Sequence, residues 1–338
     1  MADGANLRKN LFSEPGILEE DPEIRPPGSG WSSRRRVKPP EPHCIPMHPN
    51  VRLLFGILVI LLAAAAALFL LASPGDSDPG AAGGPPPEAT GPLPSHETFT
   101  RILSEVVRMP GVDYARLQEE RQLLDAYLAD LARTAPDALA AAPRDDALAF
   151  WINAYNACML KVVIDHYPIE AGGTGLFGWV RNRVAGYPDN SVWQIRDVFT
   201  RDHCRVAGAD RSQDEIEHEI IRPEFDEPRI HFAVNCAAVS CPVLWPEAYT
   251  GAELEAQLER AVTHLMEDPR HFRLDAGPPP TLTLNRVLDW YAEDFGGVDA
   301  LPAFFLPRLS GDDATLAAHD DLRVEFFDYD WTLNDLPR

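Results

Sequence analysis

Lysine is almost missing from the C-terminal two-thirds of this 338-residue chain. Between Ser95 and Arg338 there is one, Lys161, against 21 arginines. Acidic residues outnumber basic ones there by 42 to 22, and an excess of that size disfavours nucleic acid and other anionic polymers as partners. No stretch has the form of a phosphate loop, a dinucleotide fingerprint, an HExxH helix or a GxSxG elbow, so no cofactor is expected from motifs. No internal repeat is visible.

Charge and polarity are missing altogether from Leu53 to Ala72, LLFGILVILLAAAAALFLLA. At about 1.5 Å per residue, a helix of that length spans a hydrocarbon core of about 30 Å. The run is too long and starts too late for the apolar part of a cleaved signal peptide, so residues 51–72 are expected to form one uncleaved transmembrane helix. Basic side chains crowd its N-terminal flank: Arg25, Arg34, Arg35, Arg36, Lys38 and Arg52 face one acid, Glu41, between Ile24 and Arg52. From Ser73 to Thr100 there is no Lys or Arg. Positive flanks stay in the cytoplasm. The expected protein is therefore single-pass in the inner (plasma) membrane, with its N-terminus cytoplasmic and its C-terminal part periplasmic or otherwise extracytoplasmic.

The proline-rich residues 1–50 read as a disordered cytoplasmic tail. Residues 73–94, with 7 prolines and 5 glycines, read as a linker with no capacity for a core. Residues 95–338 remain as one domain. Apolar residues recur at helical spacing through 96–135 and again from Asp145 to His166, where Tyr167-Pro168 ends the run. Residues 171–190 read as loop. Ser212-x-x-Glu215 has the form of a capping box opening a helix to Arg222, stopped by Pro223. RIHFAVN (229–235) alternates as a strand should. A helix at 252–267, a hairpin of 272–274 with 281–284, a helix at 286–295 and a strand at 322–328 follow. The expected class is α+β: a helix-rich single domain with a small, mainly antiparallel sheet, preceded by the transmembrane helix.

Five segments in order, AFWINAYNA (149–157), IEHEIIR (216–222), RIHFAVNCAAVSCP (229–242), LDWYAEDFG (288–296) and YDWTLN (329–334), resemble the DUF547 family. The resemblance implies a shared fold and site but no reaction. The acidic stretch near Ser310 to Asp321 departs from the pattern and reads as a surface loop.

Reactive residue types cluster inside these segments. His231, Cys236 and Cys241 lie within eleven residues. Three readings stay open: a Cys236–Cys241 disulfide, a cysteine nucleophile held as thiolate near His231, or a metal site that adds His218; no metal is assigned. Asn153 and Asn156 share one face of the long helix. They either tie neighbouring loops or line a groove with His231, Asn153 positioning a substrate carbonyl or the imidazole. His218 and Arg222 also share a face, and Arg222 is free to pair with an acid such as Asp330 or with a ligand carboxylate. Trp151, Trp290 and Trp331 read as core. The candidate catalytic residues are His231, Cys241, Cys236 and Asn153; the candidate ligand-binding residues are Asn156, His218 and Arg222. Two functions follow. One is a membrane-anchored envelope module binding an unknown envelope ligand or protein. The other is a papain- or transglutaminase-like cysteine hydrolase or transferase acting on an amide or ester. The two differ in whether the thiols are free.

Overall fold

The computed structural model describes residues 89–336, all of them within one compact unit, Ala82–Arg338. The expected transmembrane helix and cytoplasmic tail lie outside the described residues. Among the described residues one helix, Arg144–Asp165, is long and apolar enough to cross a membrane, and 94% of its 18-residue apolar window is buried inside the domain.

The chain enters through helix α1 (Glu97–Val106) and a two-residue hairpin, β1 (Val107–Arg108) with β2 (Gly111–Val112). Helices α2 (Tyr114–Glu119), α3 (Gln122–Arg133) and α4 (Pro136–Ala140) follow, then α5 (Arg144–Asp165). The apolar spacing of α5 suggests one buried stripe, yet every residue from Ala147 to Leu160 is buried. Helices α2 and α3 and a π-helical segment, Glu215–Ile221, pack around it, so α5 is the axle of the larger hydrophobic core. A helix apolar on all sides belongs inside a core or a membrane.

The Cys158–Cys204 disulfide ties α5 to a second hairpin, β3 (Cys204–Val206) with β4 (Ala209–Arg211). Its turn places Ala207 and Gly208 at φ 48° and 80°, the left-handed pair that a two-residue hairpin needs. The amides of both residues donate to the carbonyls of Leu131 and Ala132 in the last turn of α3, where helical carbonyls run short of intrahelical donors. A smaller core forms where helix Leu254–Glu267 packs on a three-stranded sheet. In that sheet β6 (Thr281–Leu284) pairs antiparallel with β5 (Phe272–Asp275) and parallel with β7 (Arg323–Phe326).

The α+β class holds, with three small sheets where one was expected, and the largest of them is mixed. Four local expectations fail. RIHFAVN is no strand: Pro228–Phe232 is a 3-10 turn. Pro228 sets its first turn, and the Glu227 carboxylate accepts from the Arg229 amide. Residues 175–185, expected as loop, form helix α6 (Gly175–Ala185), closed by Gly186 at φ 76°. The internal Gly178 is there for packing, since a β-carbon at that position would sit 2.3 Å from the Thr174 β-carbon. The acidic stretch after Ser310 contains a helix, Gly311–Ala317, with Asp312 and Asp313 in its first turn, where carboxylates are favourable. Pro223 does not stop the helical path either. The π segment runs directly into Arg222–Phe225, where proline occupies the first turn and needs no amide partner.

Candidate functional site

The loop that carries the cysteines is fixed from beneath by α5. Asn156 donates from Nδ2 to the Ala233 carbonyl at 2.9 Å and accepts the Asn235 amide at 2.9 Å. Asn235 in turn donates to the Pro242 carbonyl and accepts the Ala237 amide, and this clamp holds Ala237 at φ 63°. Asn153 does the same one turn earlier, exchanging two hydrogen bonds with the backbone of Tyr249. Both asparagines are buried, each donates and accepts a hydrogen bond, and neither lines the cavity described next. The C-terminal segment closes the loop from above. The amides of Val239 and Ser240 donate to the carbonyls of Thr332 and Asp330, and the Asn334 amide donates to the Ala237 carbonyl.

These contacts bring Cys236, Cys241, His231 and His218 to the wall of one cavity of about 340 Å³. Cys236 and Cys241 are free thiols, Sγ to Sγ 3.0 Å, so of the three readings left open for them the disulfide is not formed; the bridge lies at Cys158–Cys204. The Cys236 amide donates to Cys241 Sγ, and Tyr329 Oη lies 3.1 Å from Cys236 Sγ. The two thiols are driven apart in acidity. Cys236 is lowered, chiefly by the hydrogen bond from Cys241 and further by Tyr329 and the Ala238 backbone. Cys241 is raised well above the ordinary thiol range, first by burial and then by its neighbour.

His231 is fully buried and stacks on Tyr291 with ring centroids 4.0 Å apart. Its Nε2 lies 2.7 Å from Asp294 Oδ2. Arg222 grips the same carboxylate with two bonds, Nε at 2.6 Å and Nη2 at 2.7 Å, while its Nη1 lies 3.1 Å from His218 Nδ1. Asp294, not Asp330, is thus the partner of Arg222. His231 and then Arg222 hold Asp294 well below the usual carboxylate range. The other imidazole nitrogen, Nδ1, has no hydrogen-bond partner; the nearest acid oxygen, Glu217 Oε1, is 3.8 Å away. No thiol hydrogen-bonds to it.

Aromatic rings complete the wall. Trp193 and Trp331 meet edge to face at 5.3 Å, Trp331 stacks on Trp290 at 5.6 Å, and Tyr329 contacts both Trp290 and Trp331. Trp290 is 48% exposed and Trp331 half-buried. Of the three tryptophans expected in the core, only Trp151 is there.

Against known families, the match falls on α5, the π segment and the cysteine loop together. Residues 139–264 are a DUF547 domain. DUF547 is described as a protein family of unknown function. No curated protein and no solved structure matches the chain. The DUF547 match contains Asn153, Asn156, His218, Arg222, His231, Cys236 and Cys241. Asp294, Tyr291, Trp290, Tyr329 and Trp331 lie beyond its end, so the cavity joins DUF547 residues to the C-terminal segments. The LDWYAEDFG and YDWTLN motifs signal those segments, but spacing alone reads their aromatics as packing. Glu217, buried and on the cavity wall, is the residue that sequence reasoning passes over. It stands beside His218 in IEHEIIR and carries no motif of its own.

Proposed function

We propose that this DUF547-containing chain is a membrane-anchored cell-envelope protein whose outer domain binds a small ligand in the aromatic cavity. The observation that carries the reading is the cavity itself: about 340 Å³, walled by aromatic rings, with a few convergent polar groups at one side. Ligand sites are concave and mostly apolar, with sparse polar groups that fix orientation. The apolar run 53–72 and its one-sided basic flank support an anchor with the N-terminus inside, and the Cys158–Cys204 disulfide supports an oxidising compartment for the domain. Titrating the full-length chain with small aromatic probes should quench tryptophan fluorescence saturably, and Trp290→Ala should weaken the response at least about tenfold, as loss of an interface tryptophan commonly does. Quenching that never saturates, or that ignores Trp290→Ala, sinks the binding reading. For the anchor, a reporter active only outside the cytoplasm should work when fused after Arg338 and be silent at Met1; the reverse pattern refutes the orientation.

A second reading, a cysteine hydrolase or transferase, rests on the lowered Cys236 thiol and on Asp294 holding His231 in a fixed tautomer. It ranks below binding because no thiol is hydrogen-bonded to His231, so nucleophile and base are not paired. Single turnover of an activated ester that leaves an acyl group on Cys236 would reverse that order.

A further inference from the structure

The cavity carries information about the charge of its occupant. Resting on the binding reading, we propose that the occupant presents a primary ammonium group, seated between His231 and Glu217 and bordered by the aromatic wall.

The argument begins with the His231 tautomer. Asp294 is ionised and pinned by Arg222, and it faces Nε2 at 2.7 Å. A carboxylate accepts, so Nε2 carries a proton, and in that tautomer of the uncharged ring the lone pair lies on Nδ1. That nitrogen belongs to a fully buried side chain on the cavity wall and has no partner. Buried polar atoms are nearly always satisfied, so an orphan at a cavity wall marks a place for a ligand atom. Beside it stands Glu217 Oε1, again an acceptor, 3.8 Å away. That separation is too long for a hydrogen bond between the two groups. Two acceptors flanking one gap require a donor between them, and a single nitrogen can reach both at about 2.8–3.0 Å. A hydroxyl has one proton to give; a primary ammonium has three.

Charge points the same way. The wall includes two carboxylates, Asp214 and Glu217, and neither Lys nor Arg. Arg222, the nearest guanidinium, is committed to Asp294. Trp193, Trp290, Trp331 and Tyr329 line the same wall, and an aromatic ring meets a cation favourably at its face, where its quadrupole is negative, and an anion unfavourably. An acidic or phosphorylated ligand would meet two carboxylates and these rings with no Lys or Arg on the wall to receive it.

The test compares three probes of one shape on the full-length chain: benzylammonium, benzyl alcohol and benzoate, followed by tryptophan fluorescence. The expected order is ammonium first, about tenfold tighter than the alcohol, and benzoate last. In Glu217→Gln the ammonium should fall to the level of the alcohol while the alcohol is unchanged. Glu217→Asp, which keeps the charge, should retain part of the preference and guards against misfolding of the amide variant. If alcohol or benzoate binds as well as the ammonium, or if Glu217→Gln leaves the preference intact, the ammonium proposal is overturned and the binding reading stands. If none of the three binds, both are overturned.

Discussion

Cys236 and Cys241 show how two identical side chains in contact acquire different chemistry. Each would be a poor thiolate alone, because burial penalises the charged form. Cys236 escapes because its sulfur sits among donors: Cys241, Tyr329 and the Ala238 backbone. Cys241 stays protonated, first because burial penalises its thiolate and then because of the hydrogen bond it shares with Cys236. Iodoacetamide should therefore modify Cys236 before Cys241, with a pH midpoint below the ordinary thiol value of about 8.5. Removing one donor, in Tyr329→Phe, should raise that midpoint. Peptide mapping after brief alkylation decides the first point and a rate profile from pH 5 to 10 the second; a Cys241-first pattern or an unshifted midpoint contradicts the account.

Among the elements, α1 depends on a histidine in an unusual place. His96 occupies the N-cap with φ 64° and is buried, its Nδ1 2.6 Å from Tyr127 Oη. Tyr127 stacks on Phe99 of α1 at 4.7 Å, so one side chain joins α1 to α3. Burial lowers the His96 pKa to about 4 from 6.5. Because the folded value is depressed, the unfolded chain binds the extra proton between these two values. The contribution is whole above pH 6.5 and is lost as pH falls towards 4, at a cost of about 3 kcal/mol. Denaturant titrations across pH 4 to 7 should show that decline, and His96→Gln should flatten it. An equal slope in the variant would assign the decline to other groups.

The same elements show what was legible in the sequence and why. Helices α1 to α3, α5 and Leu254–Glu267, the β5–β6 hairpin and β7 are legible because apolar residues recur in each at the element's own spacing. Residues 228–235 misled because alternation reports only which side chains are apolar. It cannot report that Asn156 and Asn235 have already taken the backbone groups a neighbouring strand would use. Helix α6 was hidden by Gly175 and Gly178, residues that usually mark loops, and by its outward apolar side chains, with Phe177 82% and Val184 84% exposed. At the site, His231, His218 and the two cysteines could be named because their types are rare and clustered. The polar partners Glu217 and Asp294 could not, because an acidic chain offers 52 equivalent candidates.

At the level of the whole molecule, chain near both ends of the described range is built into the fold. Gly91 accepts the Ala135 amide and donates to the Arg133 carbonyl, while the Leu336 amide donates to the Val112 carbonyl and the Val112 amide to the Asn334 carbonyl. The disulfide adds a connection of another kind. Cys158 and Cys204 are 46 residues apart, and α6 lies between them with Arg181 and Arg183 on its exposed surface. Any backbone cut between the two cysteines opens a closed ring and leaves a single covalent object. Limited trypsin digestion that cleaves at these arginines should thus leave the domain at its uncut mobility on a non-reducing gel and resolve it into two pieces once thiol is added. Separation without reductant would refute the bridge. If the ring holds, the domain can live as a two-chain molecule: cleavage in α6 cannot release either half, and only reduction of one sulfur–sulfur bond converts a nick into a loss.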